Sequence, residues 1–131
     1  MNNGSIFKKI EKTLVEYNNL AINIEFLNKE IDILKNSQMH EEELISLNSD
    51  LNRANRLKRL LDGCINALSG VDKKVIELRY LSKDKLTWKQ IGNIVKFSEV
   101  HCMTRIRPRA INKIVDFING SGIDIESFMQ G

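Results

Sequence analysis

The stretch TWKQIGNIVKFSEVHCMTRIR, residues 87–107, contains two short segments of apolar periodicity separated by three residues. Thr87 precedes Gln90 by three positions, which is the spacing of a capping box: the threonine hydroxyl accepts a backbone hydrogen bond and the glutamine side chain reaches back to the N-cap. This spacing predicts a helix from Trp88 to about Val95.

Lys96, Phe97 and Ser98 form the predicted connection to a second helix. We expect Phe97 to be an apolar plug between the two helices and Ser98 to be the N-cap of the second one. Two helices joined by three residues must cross at a steep angle, which predicts a helix-turn-helix. The second helix then projects its outer face away from the core, where it fits a DNA major groove about 12 Å wide.

The faces of this second helix follow from Cys102 and Ile106, which stand four residues apart and form the predicted inward pair. Steps of about 100° per residue place other side chains on the outer face or its flank. The candidates for contacting DNA bases are Val100, His101, Met103, Thr104 and Arg107. The candidates for holding phosphates are Lys89, Lys96, Ser98, Arg105, Arg109 and Lys113. The alternative is that Val100 and Met103 are core residues and that the arginines are only solvated.

The positive charge of the chain belongs to its second half. Residues 71–118 carry 11 Lys and Arg against 5 Asp and Glu, whereas residues 1–70 carry 9 against 10. This asymmetry indicates a polyanion partner for one half of the chain. A solvated basic face is the alternative that the charge alone leaves open.

In residues 1–70, apolar side chains recur in alternating steps of three and four, which is typical of long packed helices. One seam runs from Phe7 to Ile31 with Asn28 as its polar member, and a second runs from Leu44 to Leu68. The short connection between them predicts an antiparallel pair. Such a pair leaves apolar surface uncovered, so we expect a homodimer through residues 5–69, with a monomeric hairpin as the alternative.

The pattern as a whole predicts an all-α protein, and the single proline among 131 residues agrees with long helices. A third helix is expected to begin at Val71, with Asp72 as its N-cap. The chain then divides into a helical hairpin (residues 1–70), a helix-turn-helix unit (residues 71–119) and a tail (residues 120–131).

The stretch VIELRYLSKDKLTWKQIGNIVKFS, residues 75–98, resembles region 4 of the sigma-70 family, in which a basic recognition helix follows a similar capped helix. With the RIRPRAINKI that follows and a helical N-terminus, the chain also resembles small phage regulators of Gram-positive hosts, the ArpU/RinA-type late transcriptional activators. The sigma-like resemblance covers about residues 71–115. It implies DNA binding in the cytoplasm of a bacterial host.

Two features depart from the sigma-like pattern. Lys96 stands where the family has a glycine, so it must adopt or avoid the left-handed conformation. The chain also has one residue more than the family between Ser98 and Ala110, and Pro108 lies in that interval. Since proline lacks an N–H and disfavours helix at the residue before it, we expect a kink or break at Arg107-Pro108. A separate helix should then end at 119–120.

The sequence contains few of the features that a metal site, an enzyme or a membrane protein would need. The two cysteines and two histidines have no ligand-like spacing, so neither a metal site nor a cofactor is expected. No nucleophile stands beside a base and no glycine-rich loop could cradle a phosphate, which argues against an enzyme. No apolar run approaches the roughly 18 residues that a membrane span needs.

Three functional hypotheses remain from the sequence. The first is a sequence-specific transcription regulator that binds double-stranded DNA as a dimer. The second is the small DNA-recognition subunit of a phage packaging terminase, which would form rings of eight or more copies. The third is a sigma-like adaptor that binds RNA polymerase through its helices and has little DNA affinity of its own.

Overall fold

The computed structural model describes residues 3–37 and 40–123, and all regular secondary structure within them is helical, which confirms the all-α prediction. The helices are α1 (Asn3–Val15), α2 (Tyr17–Lys35), α3 (Glu41–Ala67), α4 (Gly70–Ile76), α5 (Trp88–Val95), α6 (Glu99–His101) and α7 (Arg107–Ser121). Two π-helical turns extend these helices, Glu77–Leu81 after α4 and Cys102–Ile106 between α6 and α7. None of the described helices is both long and apolar enough to cross a membrane.

The continuous helix predicted from Phe7 to Ile31 is interrupted at Glu16, whose ψ of 5° lies outside the helical region. Backbone hydrogen bonds continue on both sides of the interruption, from Glu16 N–H to Lys12 O (3.1 Å) and from Leu20 N–H to Glu16 O (2.9 Å). A heptad pattern records which side chains are buried and not which neighbour covers them. The pattern therefore does not indicate that α1 packs on α7 while α2 packs on α3.

The helices α2 and α3 run antiparallel along each other. At one end the Tyr17 hydroxyl donates a hydrogen bond of 2.5 Å to Asp62, near the end of α3. At the other end Leu34 lies beside Leu47, near the start of α3. Asn28, the polar member of the predicted seam, is exposed to solvent.

Two apolar cores hold the helices together. The larger core joins α1, the end of α3, α4 with its π turn, and α7. Its buried members are Ile6, Ile10, Leu14, Leu61, Cys64, Ile65, Leu68, Ile76, Tyr80, Ala110, Ile111, Ile114, Val115 and Ile118. The smaller core consists of Val75, Ile91, Cys102 and Ile106, with Val71, Leu78, Leu86, Trp88 and Val95 packed around it. Because the larger core draws on both sides of residue 70, the predicted boundary there does not separate two cores.

The prediction that Asp72 is an N-cap is wrong. The helix α4 begins at Gly70, one residue before the predicted Val71, and Ser69, three residues before Asp72, is in the capping position. Gly70 has a φ of +59°. The carboxylate of Asp72 is therefore inside the first helical turn, where it is buried.

The predicted break at Arg107-Pro108 is also wrong, since residues 99–121 form one helical run, although α7 does begin at Arg107 with Pro108 in its first turn. Ile106 (φ −71°, ψ −49°) and Arg107 (φ −55°, ψ −55°) both keep helical backbone angles. Between them and α6 the chain forms a π turn, in which the Arg107 N–H donates to the carbonyl of Cys102, five residues back. A π turn accommodates one residue more than an α-helical turn, because its hydrogen bonds span five residues and not four. The run ends at Ser121, slightly beyond the predicted end, and Gly122 follows at a φ of +74°.

Candidate nucleic-acid interface

The helix α5 begins and ends where the sequence predicts. The Thr87 hydroxyl accepts a hydrogen bond from the backbone N–H of Gln90 at 3.2 Å, and the Gln90 side chain accepts one from the backbone N–H of Thr87 at 2.9 Å. Both halves of the capping box are thus formed. Its apolar face is anchored by Ile91, which is fully buried in the smaller core.

The connection after α5 depends on a lysine in the left-handed conformation and on a glycine four residues before it. Lys96 has a φ of 68° and a ψ of 36°. The N–H groups of Lys96 and Phe97 both donate to the carbonyl of Gly92, at 2.8 and 3.1 Å. A Cβ at Gly92 would lie 2.6 Å from the Phe97 carbonyl oxygen. The turn therefore needs its glycine at position 92 and tolerates a lysine at position 96.

Phe97 is not the apolar plug that the sequence predicts. Its side chain is 44% exposed and stacks on the ring of His101, with the ring centroids 5.1 Å apart. Val95 and Trp88, by contrast, are partly buried against the smaller core. His101, a predicted base contact, is half-buried by this stacking.

The outer face of the helix that begins after Ser98 is open to solvent. The Ser98 hydroxyl accepts a hydrogen bond from the His101 N–H at 3.0 Å, which confirms Ser98 as the N-cap. Val100 is 63% exposed and Met103 is 36% exposed, and Thr104 is exposed as well. The inward pair, Cys102 and Ile106, is fully buried as predicted. The alternative that Val100 and Met103 are core residues is therefore wrong.

Arg107, a predicted base contact, is held by the body of the protein. Its side chain is only 25% exposed and forms an ion pair with Glu11 of α1. Its Nε also donates to the carbonyl of Met103 at 3.1 Å. In the hydrogen-bond pattern of the π turn, that carbonyl would accept from the N–H of residue 108, which proline lacks. The guanidinium thus replaces the missing donor of Pro108 and is not available on the outer face.

Arg109 and Lys113, two predicted phosphate contacts, both bind the buried carboxylate of Asp72. Arg109 donates from Nε and Nη2 at 3.0 and 2.6 Å, and Lys113 donates from Nζ at 2.6 Å. Burial alone would raise the pKa of Asp72, but hydrogen bonds and positive charge from these two partners outweigh it and hold that pKa below its ordinary value of 3.8. Both cations serve the packing of α7 on α4.

The remaining cations beside the outer face are Lys89, Lys96 and Arg105. All three are exposed, and none forms an ion pair with the residues that the structure describes. Glu99 is the acidic exception on this surface. Together with Ser98, these three side chains are the predicted phosphate contacts that are exposed and free of an ion pair among the described residues, whereas Arg109 and Lys113 are half exposed but paired with Asp72.

Several residues that shape this interface could not be found from local sequence pattern. Glu11 pairs with Arg107, 96 residues away, and Asp72 pairs with Arg109, 37 residues away. Arg79 lies over the ring of Trp88, 4.6 Å from its centroid, and donates to the Leu86 carbonyl at 2.9 Å. Only Gly92 had a local signal, since it is the one glycine between residues 71 and 119.

Within residues 3–37 and 40–123, no cluster of three or more His, Cys, Asp or Glu side chains could hold a metal ion. Burial raises the pKa of both thiols, Cys64 and Cys102.

Comparison with known proteins gives one match. Neither a curated protein nor a solved structure matches this chain. A family model described as "Protein of unknown function (DUF722)" matches residues 6–116, which include the smaller core, all of the larger core except Ile118, and the whole candidate interface. The chain therefore belongs to the DUF722 family.

Proposed function

We propose that the protein is a sequence-specific DNA-binding regulator with a sigma region 4-like helix-turn-helix formed by α5 and the helix that starts at Glu99. The observation that carries this proposal is the exposed face of Val100, Met103 and Thr104. On the opposite side of the helix, Cys102 and Ile106 are fully buried. Beside the exposed face lie Lys89, Lys96 and Arg105, which have no ion-pair partner among the described residues. An α-helix is about 10–12 Å across with its side chains, which matches the width of the major groove.

A gel-shift titration at rising salt tests the proposal. Replacing Lys89, Lys96 and Arg105 together by glutamine should weaken DNA binding and flatten its salt dependence, because each phosphate contact releases counterions. Glutamine at position 96 keeps a non-glycine residue in the left-handed turn, so the backbone cost is nearly unchanged. A control with Lys8, Arg59 and Lys74 replaced by glutamine, all of them exposed and none of them on α2, has the same net charge and should bind like the wild type. If no DNA is bound at low salt, the proposal is wrong.

A protein partner is the second interaction that the surface supports. Ile22, Phe26 and Ile33 on α2 and Ile45 on α3 are all more than half exposed. Exposed apolar side chains grouped in this way mark contact surfaces. A second copy of the chain, bound through residues 5–69, would cover them and give the dimer of a regulator. A ring of eight or more copies would favour a packaging subunit, and capture of RNA polymerase without DNA binding would favour an adaptor.

A further inference from the structure

The chemistry of the outer face predicts which bases it distinguishes. We propose that this face selects thymine through its C5-methyl group and does not select guanine by a bidentate donor pair. The proposal rests on the DNA-binding function proposed above and specifies its target. It follows from what each exposed side chain between Glu99 and Arg107 can offer to a base edge.

Guanine is selected in the major groove by arginine or lysine, which donate to O6 and N7, and adenine is selected by asparagine or glutamine. The outer face has neither kind of side chain at its centre. Arg107 would be the donor one turn after Met103, but Glu11 and the Met103 carbonyl occupy its guanidinium. Glu99 can only accept hydrogen bonds while it is ionised.

The centre of the face is formed by Val100 and Thr104, four residues apart. The Thr104 hydroxyl donates to the Val100 carbonyl at 2.6 Å, so its hydrogen is already used within the helix. The groups left to meet a base are the threonine methyl, the valine methyls and the thioether of Met103. These groups are exposed in the free protein, so contact with an apolar part of the groove removes them from water. The thymine methyl is the apolar group that the major groove displays.

Between Glu99 and Arg107, Arg105 is the one exposed cation, and it lies on the flank of this face. From the inward Cys102, the π turn places Thr104 near the far side of the helix and Arg105 toward the side of His101. A cation on the flank of a helix in the groove meets the phosphate backbone. The experiment must therefore separate a methyl contact from guanine recognition by Arg105.

The test begins with a DNA site selected from a random library by the full-length protein. Each thymine of that site is replaced in turn by uracil, which lacks only the methyl group, and each guanine by 7-deazaguanine, which lacks only the N7 acceptor. A buried methyl is worth about fourfold in affinity. We expect two or three uracil positions to weaken binding about fourfold each, while every 7-deazaguanine changes it less than twofold.

Variants of the protein assign the contacts. Val100→Ala and Met103→Ala should each abolish the uracil effect at a particular position, and both residues are exposed, so the fold should be kept. Phe117→Ala, which changes a partly exposed apolar residue on α7 away from this face, is the matched control and should leave the uracil effects unchanged.

The outcomes separate this proposal from the function on which it rests. Binding that is insensitive to uracil, or sensitive to 7-deazaguanine in a way that Arg105→Gln removes, overturns methyl recognition and leaves DNA binding in place. A library that yields no enriched sequence also overturns it. Absence of DNA binding at low salt overturns both proposals.

Discussion

The turn between α5 and α6 depends on the backbone conformation of single residues. Lys96 is the only residue other than glycine with a positive φ in the described part of the chain. A non-glycine residue in this conformation costs roughly 1–2 kcal/mol. A Lys96→Gly variant removes this cost, but part of the gain in stability is lost because glycine has greater conformational freedom in the unfolded chain.

We therefore expect Lys96→Gly to raise the free energy of unfolding by about 0.5–1 kcal/mol. Gly92→Ala should have the opposite effect, because its Cβ would lie 2.6 Å from the Phe97 carbonyl oxygen and the turn backbone would have to move. A loss of roughly 1–3 kcal/mol is expected for such overpacking. Urea unfolding followed by circular dichroism measures both changes. Gly120→Ala, where an added Cβ meets nothing within 4 Å, is the control. Equal effects at positions 92 and 120 would contradict the assignment.

The buried carboxylate of Asp72 makes a second prediction at this scale. Its pKa lies below the ordinary value of 3.8 because Arg109 and Lys113 stabilise the ionised form against the effect of burial. A lowered pKa in the folded state means that the stabilisation is complete above pH 3.8 and is lost as the pH falls through the folded-state pKa. Asp72→Asn should thus cost roughly 1–3 kcal/mol near pH 7. It should also make unfolding less dependent on pH below 3.8. An equally steep acid transition in the variant would show that Asp72 is not its source.

Arg107 makes the third prediction, and it reverses what the sequence suggests. From sequence alone, its replacement should reduce sequence preference; the structure instead gives the side chain a role in stability. Arg107→Ala leaves the Met103 carbonyl without its side-chain donor and Glu11 without its partner. A loss of roughly 1–3 kcal/mol in thermal or urea unfolding should result. Glu11→Gln keeps the Met103 hydrogen bond and should cost less than Arg107→Ala. Equal stability of Arg107→Ala and the wild type would contradict this role.

At the scale of elements, the accuracy of a sequence-based prediction depends on whether the signal is local. The bounds of α5 could be predicted to the residue because the capping box and the buried Ile91 lie within the helix itself. The interruption at Glu16 could not, because it depends on α1 packing against a helix about 100 residues away. The ion pairs of Arg107 and Arg109 join distant segments in the same way, so the outer face was predicted better than the cations around it.

Pro108 lies inside a continuous helical run, although proline normally breaks an α-helix. In an α-helix, the proline ring meets the carbonyl four residues back and its missing N–H leaves one carbonyl unpaired. Here the preceding turn is a π turn, which changes the hydrogen-bond spacing from four to five, and the Arg107 side chain serves the orphaned carbonyl. A local rule for proline could not anticipate this compensation.

The π turn makes a prediction about chain length. Deleting Arg105 in a Pro108→Ala background removes one exposed residue from a π turn, so the helix can revert to α geometry with Cys102 and Ile106 still inward. We expect cooperative unfolding to be retained. Deleting Asn112 from the regular part of α7 should abolish it, because the buried positions that follow would rotate by about 100°. Both effects are measured by urea unfolding, and loss of cooperativity in both deletions alike would contradict the π-turn account.

At the scale of the whole molecule, the larger core ties the N-terminal helix to the C-terminal one. Ile10 and Leu14 of α1 are fully buried together with Ile111 and Ile114 of α7. The sequence predicts which residues are apolar on each helix but not which helices meet, since several pairings would bury the same stripes. The consequence for function is that α1 holds Arg107 through Glu11 while α2 remains free to present its apolar side chains outward.

That free surface on α2 leads to a prediction that links assembly to DNA binding. Phe26 is 62% exposed on the described chain, and a second copy would cover it. If the wild type is a dimer, two sets of Lys89, Lys96 and Arg105 give a slope of log affinity against log salt of about −5.4, against about −2.7 for one set. Phe26→Glu should halve both the molar mass and this slope, whereas Asn28→Glu, which adds the same charge at an exposed polar position, should change neither. Light scattering and salt titration on the same samples measure the two quantities. The steeper slope is expected only when two copies of the basic face bind the DNA together. A wild type with the mass of a single chain, or a Phe26→Glu variant of unchanged mass, would therefore show that α2 is not the dimer contact.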